Sequence, residues 1–453
     1  MSVAIPARAA SPVTAAAVAD VRPARWEWGA AIASMFMMSG ALIGPIFAPD
    51  MGENAILRLA WLPIYAFILM LAMRRAREIG RLWPAVLICA ALVGLTWASV
   101  LWSVAPETTM RRVVAVGITM LLGLYVAAMF RGPRLLRLLC WTFLSMGLLS
   151  LVFVAAIPSL GIHDDVNAGM WRGIWYEKNQ AGMMMFNGAI AALALLVSGG
   201  EGRRLAVATL IVCVLFMLGT QSKTSLLCLL SGGGLVVGFH VLRKVGPAAA
   251  VVLLWLGALA LAGIFTAIAA SPETFYALLG KDPTLTGRTA IWDAMWLYIE
   301  ERPALGWGYA AFWKPDTIQA DWIRFQNEWP VPHAHHSWMD LLLQLGWTGV
   351  AFMVVAMAVA VVGVLARLPT QGVREGYWAA GFLVTIGLLG LSESMLLLYH
   401  NLIWVLFVVA LASRFAPPAP PPAPTPSRRP RRALRARPSL RPAYADATRR
   451  SFK

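Results

Sequence analysis

Long uninterrupted apolar stretches recur along this chain, and they restrict its fold more than any other feature of the sequence. Hydrophobic residues make up 59% of the 453 positions and charged residues only 13%, which is more apolar than a soluble core requires. The stretches are continuously apolar instead of alternating, so strands are excluded as spanning elements and helices must satisfy the backbone polar groups. The sequence therefore predicts an all-α polytopic membrane protein.

About twelve transmembrane helices are predicted from these stretches. Basic residues cluster in five short connections, all on one side, and by the positive-inside rule that side is cytoplasmic, together with both termini. The long connection 271–337 then faces away from the cytoplasm. The predicted spans are residues 29–47, 55–73, 83–103, 113–130, 138–157, 180–199, 205–219, 224–242, 247–270, 338–366, 376–393 and 399–413.

Two terminal segments flank the predicted transmembrane domain of residues 29–413. Residues 1–28 are predicted to be a disordered cytoplasmic arm, and residues 414–453 a disordered Pro/Arg-rich cytoplasmic tail. The tail carries eleven Arg/Lys and one acid, or +10 of the formal charge of +16, so the charge does not indicate a nucleic-acid partner. Its basic residues suit either attraction to anionic lipid or a topology anchor. All four cysteines lie in apolar runs, which favours a packing role.

The stretch from Ser271 to Gly346 is the one long polar interruption, and it holds three of the six histidines within four residues. These are His333, His335 and His336. A surface helix is predicted from Arg288 to Glu301, lying along the membrane on its apolar stripe. Because so few ionisable groups occur elsewhere, this concentration at one membrane edge is the first place to look for a site.

Cations stand where several outward-facing helices are predicted to begin. Lys223 opens one span, Arg288 opens the surface helix, and Lys178 with Asn179 precedes another span. Helix N-termini attract anions through unpaired N–H groups and the helix dipole, so a cation there makes a phosphate-binding corner. The alternative is an interfacial cation that reaches toward lipid headgroups.

The histidine run suits proton transfer. His335 is predicted to lie at the N-cap of the tenth span, where the helix dipole disfavours an imidazolium and leaves a neutral base. Asp340, one turn into the helix, is a candidate to orient an imidazole, although the sequence does not say which. A zinc site is the alternative, but it needs three protein ligands. The further candidates on outward loops are few: His163, Asp164, Asp165 and His400.

Three other classes of membrane protein fit this sequence less well than an enzyme. A secondary transporter or a lipid flippase needs polar groups near the middle of the membrane, and these spans are almost free of charge. A structural scaffold has no need of cations at helix starts beside a histidine cluster. The crowding of polar groups at one face favours an enzyme.

Several motifs together resemble the O-antigen ligase and polymerase superfamily, over residues 30 to 413. The most specific element is a histidine followed eleven residues later by a glycine, which selects His335 and Gly346. Weaker similarity lies in residues 102–112 and 173–179. The main motifs are residues 221–227 (QSKTSLL), 287–292 (GRTAIW), 302–308 (RPALGWG) and 335–346 (HHSWMDLLLQLG).

The resemblance implies a metal-independent, inverting glycosyltransferase of the integral-membrane class (GT-C-like), without a cofactor, in the bacterial inner membrane. Donor and acceptor glycan would meet at the periplasmic face, and the donor would be an undecaprenyl-diphosphate-linked oligosaccharide. Carried over by position, His335 is the catalytic histidine, Arg288 the loop arginine and Lys223 the residue at the family's arginine position. Lysine there departs from the pattern, because it lacks the bidentate fork of arginine. Possible supporting residues are Arg172, Lys178, Asn179, His333, His336 and Asp340.

Within this superfamily the motifs are most similar to the exopolysaccharide polymerases of the succinoglycan type. Residues 222–224 (SKT) and 333–335 (HAH) carry this similarity, while His336 stands where an asparagine is common. A polymerase is therefore favoured over a ligase that modifies lipid A core, and a chain-length regulator becomes a possible partner. The sugar, its linkage and the oligomeric state do not follow from the sequence.

Overall fold

The computed structural model describes residues 21–42, 46, 55–271, 288–328, 330–368 and 374–416. The regular elements in these residues are helices, together with a single bridge between Ile162 and Trp171. The helices are α1 Arg25–Met37, α2 Ala55–Arg74, α3 Ala76–Gly80, α4 Trp83–Ala98, α5 Pro106–Met129, α6 Pro133–Ala156, α7 Pro158–Gly161, α8 Lys178–Val197, α9 Arg203–Thr220, α10 Lys223–Leu242, α11 Pro247–Ala270, α12 Arg288–Glu301, α13 Ile318–Gln326, α14 Ser337–Arg367, α15 Arg374–Leu389 and α16 Leu402–Ser413.

Eight helices of the described chain are long and apolar enough to cross a membrane: α2, α4, α5, α6, α8, α9, α10 and α14. Shorter apolar helices include α16 and most of α15. The chain is thus an all-helical polytopic membrane protein. Each of the twelve predicted spans overlaps a helix, but the number of crossings and their sidedness stay predictions.

Some predicted boundaries differ from the structure. Helix α1 starts at Arg25, inside the predicted terminal arm, and ends at Met37, ten residues before the predicted end of the first span. Helix α15 ends at Leu389 instead of residue 393. Residues 1–20 of the predicted arm, 417–453 of the predicted tail and 272–287 of the predicted loop lie outside the described residues.

Helices α5, α8 and α16 are among the most deeply buried of the bundle. Residues 402–412 of α16 are all buried, which explains why twelve residues without any charge form a helix there. Near one end a buried carboxylate is fully paired. Arg75 donates to both carboxylate oxygens of Glu27 at 2.8 and 2.7 Å, and the Tyr125 hydroxyl donates to it at 3.3 Å. Without this pairing, the cost of placing Glu27 in the bundle would be prohibitive.

Helix α14 is kinked at Gly346, where φ is 61° and ψ is −163°. The kink lets a neighbouring turn approach, because the Trp347 N–H donates to the Pro303 carbonyl at 2.8 Å. A Cβ at position 346 would lie 2.4 Å from the backbone of Ala304. Glycine is therefore required here both by conformation and by space, and this contact fixes the end of α12 against α14.

We predict that Gly346→Ala destabilises the protein by roughly 2–5 kcal/mol. A side chain in the left-handed region costs about 1–2 kcal/mol, and overpacking against a backbone costs about 1–3 kcal/mol. The apparent unfolding midpoint in detergent, followed by tryptophan fluorescence, should fall clearly. The matched control is Gly94→Ala in α4, where an added Cβ meets no atom within 4 Å. Equal midpoints for the two variants would contradict the prediction.

Candidate active site

Each of the three cations singled out from the sequence is the first residue of a helix. Lys178 begins α8, Lys223 begins α10 and Arg288 begins α12. The starts of α8 and α10 are tied together, because the Ser222 hydroxyl donates to the Asn179 side-chain oxygen at 3.1 Å. Lys178 and Lys223 also repel each other electrostatically. The two lysines therefore lie at the same end of the bundle, within electrostatic reach of each other.

The histidine run immediately precedes α14, but the predicted N-cap was wrong by one residue. The cap is His336, whose Nδ1 accepts a hydrogen bond from the Met339 N–H at 3.3 Å. His335 lies one position earlier, with a φ of 50° in the left-handed region. That conformation is uncommon for a residue with a side chain, and such strain concentrates at functional sites.

The side-chain partner of His335 is Glu393, in the connection between α15 and α16. His335 Nδ1 lies 3.4 Å from Glu393 Oε2, and Arg288 Nη2 lies 3.5 Å from Glu393 Oε1. Arg288 Nη1 also donates to the carbonyl of Ser392. The three side chains are about 15–16% exposed and both ring nitrogens of His335 are buried, so they meet at a protected edge. They form a continuous array, His335–Glu393–Arg288.

The first residue of α14 holds Glu393 in place. The Ser337 hydroxyl donates to the Glu393 carbonyl at 2.7 Å and accepts from the Met395 N–H at 2.8 Å. The Ser337 N–H donates to the Gly390 carbonyl at 2.8 Å. The segment that carries Glu393 is thus attached to the same helix end that follows His335.

Sequence reasoning missed Glu393 because it fell at the end of a predicted span. The available signal was an acidic residue between two serines at the end of an apolar run. An ionisable residue at such a position is a functional candidate by default, with a cation or an imidazole as its partner. The same reasoning that selects the histidine run therefore also selects Glu393, within residues 392–394.

The electrostatics of the site favour an ionised Glu393 and neutral side chains at His333 and His336. Burial raises the pKa of Glu393, but the hydrogen bond with His335 and the charge of Arg288 outweigh it, so its pKa lies below the usual range. Burial, with repulsion from His335, lowers the pKa of His333 to about 3. Burial also lowers the pKa of His336. At neutral pH the acid is therefore charged and these two flanking histidines are not.

The remaining residues of the histidine segment are held by tryptophans. The Trp292 indole donates to the Ala334 carbonyl at 2.8 Å and meets the His336 ring edge-on, with centroids 5.4 Å apart. The Trp313 indole donates to Asp340 Oδ1 at 2.8 Å. Asp340 also interacts electrostatically with His335, so its orienting role stays a prediction, and Glu393 is a second carboxylate that contacts the imidazole directly.

The connection before α8 contributes structure and charge. Arg172 donates to the carbonyls of Leu160 and Ser159 at 2.9 and 3.0 Å, so part of its guanidinium secures this loop. His163 Nε2 accepts from the Lys178 N–H at 3.2 Å, which satisfies a donor at the start of α8. Burial raises the pKa of Glu177, and the charge of Glu393 adds to this rise. The start of α8 therefore lies within electrostatic reach of the His335–Glu393–Arg288 array.

The structure supplies a third ligand to the zinc alternative. Ligand atoms of His333, His335 and Glu393 all lie within 4.8 Å of one another. Two other histidines that the sequence offers as metal ligands have different neighbours. His163 pairs with Asp165 at 3.3 Å, and His400 stacks on Trp61 with centroids 3.6 Å apart. Two imidazoles and a carboxylate are a donor set that divalent zinc accepts.

Comparison with known proteins gives two similarities. Residues 208–354 match the family model described as O-Antigen ligase, and this segment contains Lys223, Arg288, the histidine run and Gly346. The chain is also similar to the exopolysaccharide production protein ExoQ of Rhizobium meliloti (strain 1021), with 25% identity over 289 residues. That alignment covers 60% of this chain and 64% of the relative, just under two thirds of the relative's length. Both similarities support a relationship of this chain to the O-antigen ligase/polymerase superfamily.

Proposed function

We propose that this protein is an inverting membrane glycosyltransferase that polymerises polysaccharide repeat units at the periplasmic face of the inner membrane. The donor is an undecaprenyl-diphosphate-linked oligosaccharide and the acceptor a second glycan. The observation that carries the proposal is the His335–Glu393–Arg288 array, because it joins an imidazole base to an ionised partner beside helix starts that bear cations. The similarity to the O-antigen ligase family model and to ExoQ supports a ligase or polymerase-type activity.

In this mechanism His335 acts as the general base. A hydrogen bond from its Nδ1–H to Glu393 leaves a lone pair on Nε2, since the partner of one ring nitrogen sets the tautomer. Nε2 takes the proton of the acceptor hydroxyl as its oxygen attacks the anomeric carbon from the face opposite the diphosphate. The bond from that carbon to the diphosphate oxygen breaks, and its electron pair leaves with the lipid diphosphate. Glu393 stabilises the imidazolium that forms.

The charge that grows on the leaving diphosphate needs cations in place before the reaction. Arg288 has five N–H donors, so its contacts with Glu393 and Ser392 leave others for phosphate oxygens. Lys223 adds a point charge at the start of α10, where the helix dipole also favours an anion. No leaving-group acid is required, because a diphosphate leaves as a stable anion.

A polymerase and a lipid A core ligase share this chemistry and differ in the acceptor. The polymerase is favoured by the relative ExoQ, whose name assigns it to exopolysaccharide production. The ligase remains the second candidate because of the description of the matched family model. A twelve-helix transporter is the least favoured, since the described cations and histidines gather at helix ends.

The test is transfer by the purified full chain in lipid nanodiscs, supplied with lipid-linked repeat units in the presence of a chelator. We expect a ladder of products that lengthens by one repeat unit at a time, with no added acceptor. Transfer of a single glycan only when lipid A core is added would instead identify a ligase. No product in either assay from folded protein would contradict the proposed function.

A further inference from the structure

We propose that His333, His335 and Glu393 form a binding site for a divalent ion of the zinc class, and that the bound ion inhibits glycosyl transfer. Metal binding is independent of the proposed function, whereas its inhibitory effect rests on that function, because the ion would occupy the catalytic base.

The separation of the ligand atoms fits a tetrahedral metal. Zinc lies about 2.0–2.1 Å from nitrogen and oxygen ligands, so two ligands of a tetrahedron are about 3.3 Å apart. His335 Nδ1 and Glu393 Oε2 are 3.4 Å apart. A charge-assisted hydrogen bond is usually shorter, about 2.7–2.9 Å. This pair therefore already has the spacing of two ligands on one ion.

His333 is placed to provide the third ligand. The rings of His333 and His335 lie with centroids 4.0 Å apart, and the backbone at His335 is in the left-handed region. His333 Nδ1 accepts from the His335 N–H at 3.2 Å, so its lone pair already points at this segment. Coordination exchanges that weak hydrogen bond for a metal bond. Small side-chain rotations bring all three ligand atoms, now within 4.8 Å, onto one ion.

Arg288 occupies the other oxygen of the same carboxylate. Its Nη2 lies 3.5 Å from Glu393 Oε1, whereas His335 faces Oε2. The guanidinium can thus orient the carboxylate by contacting the oxygen that does not bind the ion, as outer-shell partners of metal ligands do. Its positive charge also weakens the hold on a cation, which favours reversible capture over a permanent structural metal.

A metal at this position stops His335 from acting as a base. An imidazole that gives its Nδ1 lone pair to an ion carries its proton on Nε2, so no lone pair is left for the acceptor hydroxyl. Glu393 is withdrawn from the imidazole at the same time. The ion and proton transfer therefore exclude each other, and inhibition should be reversed by a chelator.

Binding is tested with Co²⁺ as the probe, because it accepts zinc ligands and absorbs visible light when tetrahedrally bound. The full chain in nanodiscs should bind one Co²⁺ that Zn²⁺ displaces. His333→Ala and Glu393→Gln should bind on the order of a hundredfold more weakly, since even outer-shell partners are worth about 10–100-fold. His240→Ala, at the other end of α10, is the matched control and should bind like wild type. Absent binding, or equal binding by all four proteins, would overturn the site.

Inhibition is tested in the transfer assay by the ratio of rates without and with Zn²⁺. We expect a large ratio for wild type that a chelator returns to one, and a ratio near one at the same Zn²⁺ for His333→Ala. Undiminished transfer by the metal-loaded wild type would overturn inhibition. If chelation abolishes transfer and zinc restores it, both proposals are wrong: that the ion inhibits, and that His335 acts as a general base without a metal. If no transfer occurs at all, the proposed function fails, while the Co²⁺ spectra still decide the metal site.

Discussion

Replacing His335 with alanine is expected to lower the rate of glycosyl transfer by about a hundred- to ten-thousandfold, the usual worth of a positioned general base. The loss should fall on turnover, because the acceptor hydroxyl then has no group to take its proton. The measurement is the initial rate of polymer formation by purified protein in nanodiscs, at matched protein levels and with a chelator present.

The neighbouring histidines provide the controls for this experiment. His333→Ala and His336→Asn should keep measurable transfer, because His333 meets His335 through a ring contact and a weak backbone hydrogen bond, and an asparagine can replace the N-cap of His336. If all three variants lose activity equally, the histidines act through structure and His335 has no special role. A fully active His335→Ala would exclude it as the base.

The second large effect on turnover is expected when a cation proposed to bind the leaving diphosphate is removed. Lys223→Ala and Arg288→Ala are each expected to lower turnover about a hundred- to a thousandfold, the cost of losing one group that stabilises a developing anion. Lys223→Arg should equal or exceed wild type, because arginine restores the fork that suits a diphosphate. Arg288→Lys should recover only part of the rate, since a point charge cannot bridge Glu393 and a phosphate.

Arg288 needs a further control, because it contacts Glu393 as well. If it acts only by holding that carboxylate, Arg288→Ala will have little effect in a Glu393→Gln background. If it binds the diphosphate, its effect will persist there, and the double-mutant cycle separates the two roles. Near-normal polymer from both single alanine variants would contradict the diphosphate site.

The helical fold could be predicted from local sequence because the bilayer imposes it. A helix of apolar residues satisfies its own backbone, so composition alone identifies α5 or α8. Helix α12 also has the predicted bounds Arg288–Glu301. The ends of helices were harder to predict from the sequence. α15 stops four residues before the predicted end, where the chain turns to offer carbonyls to Ser337 and Arg288.

Only those residues of the site that belong to local sequence motifs could be predicted. The sequence predicts a cation at the start of three helices, and the structure has a helix that begins at each of them: Lys178, Lys223 and Arg288. Glu393 was missed because it is 58 residues from His335, and nothing in the local pattern joins the two. Helix α13 was also missed, since Asp321 to Pro332 has the prolines and tryptophans of a loop. Contacts between distant segments depend on packing, which a single sequence does not report.

Chemical rescue of His335→Ala measures the central assignment most directly. The variant, in nanodiscs with a chelator and lipid-linked repeat units, is supplied with imidazoles of increasing basicity. If His335 is the general base, imidazole restores part of the transfer rate, more basic imidazoles restore more, and Arg288→Ala is not rescued. A His335→Ala protein that transfers at a rate independent of every imidazole in the series would contradict the assignment.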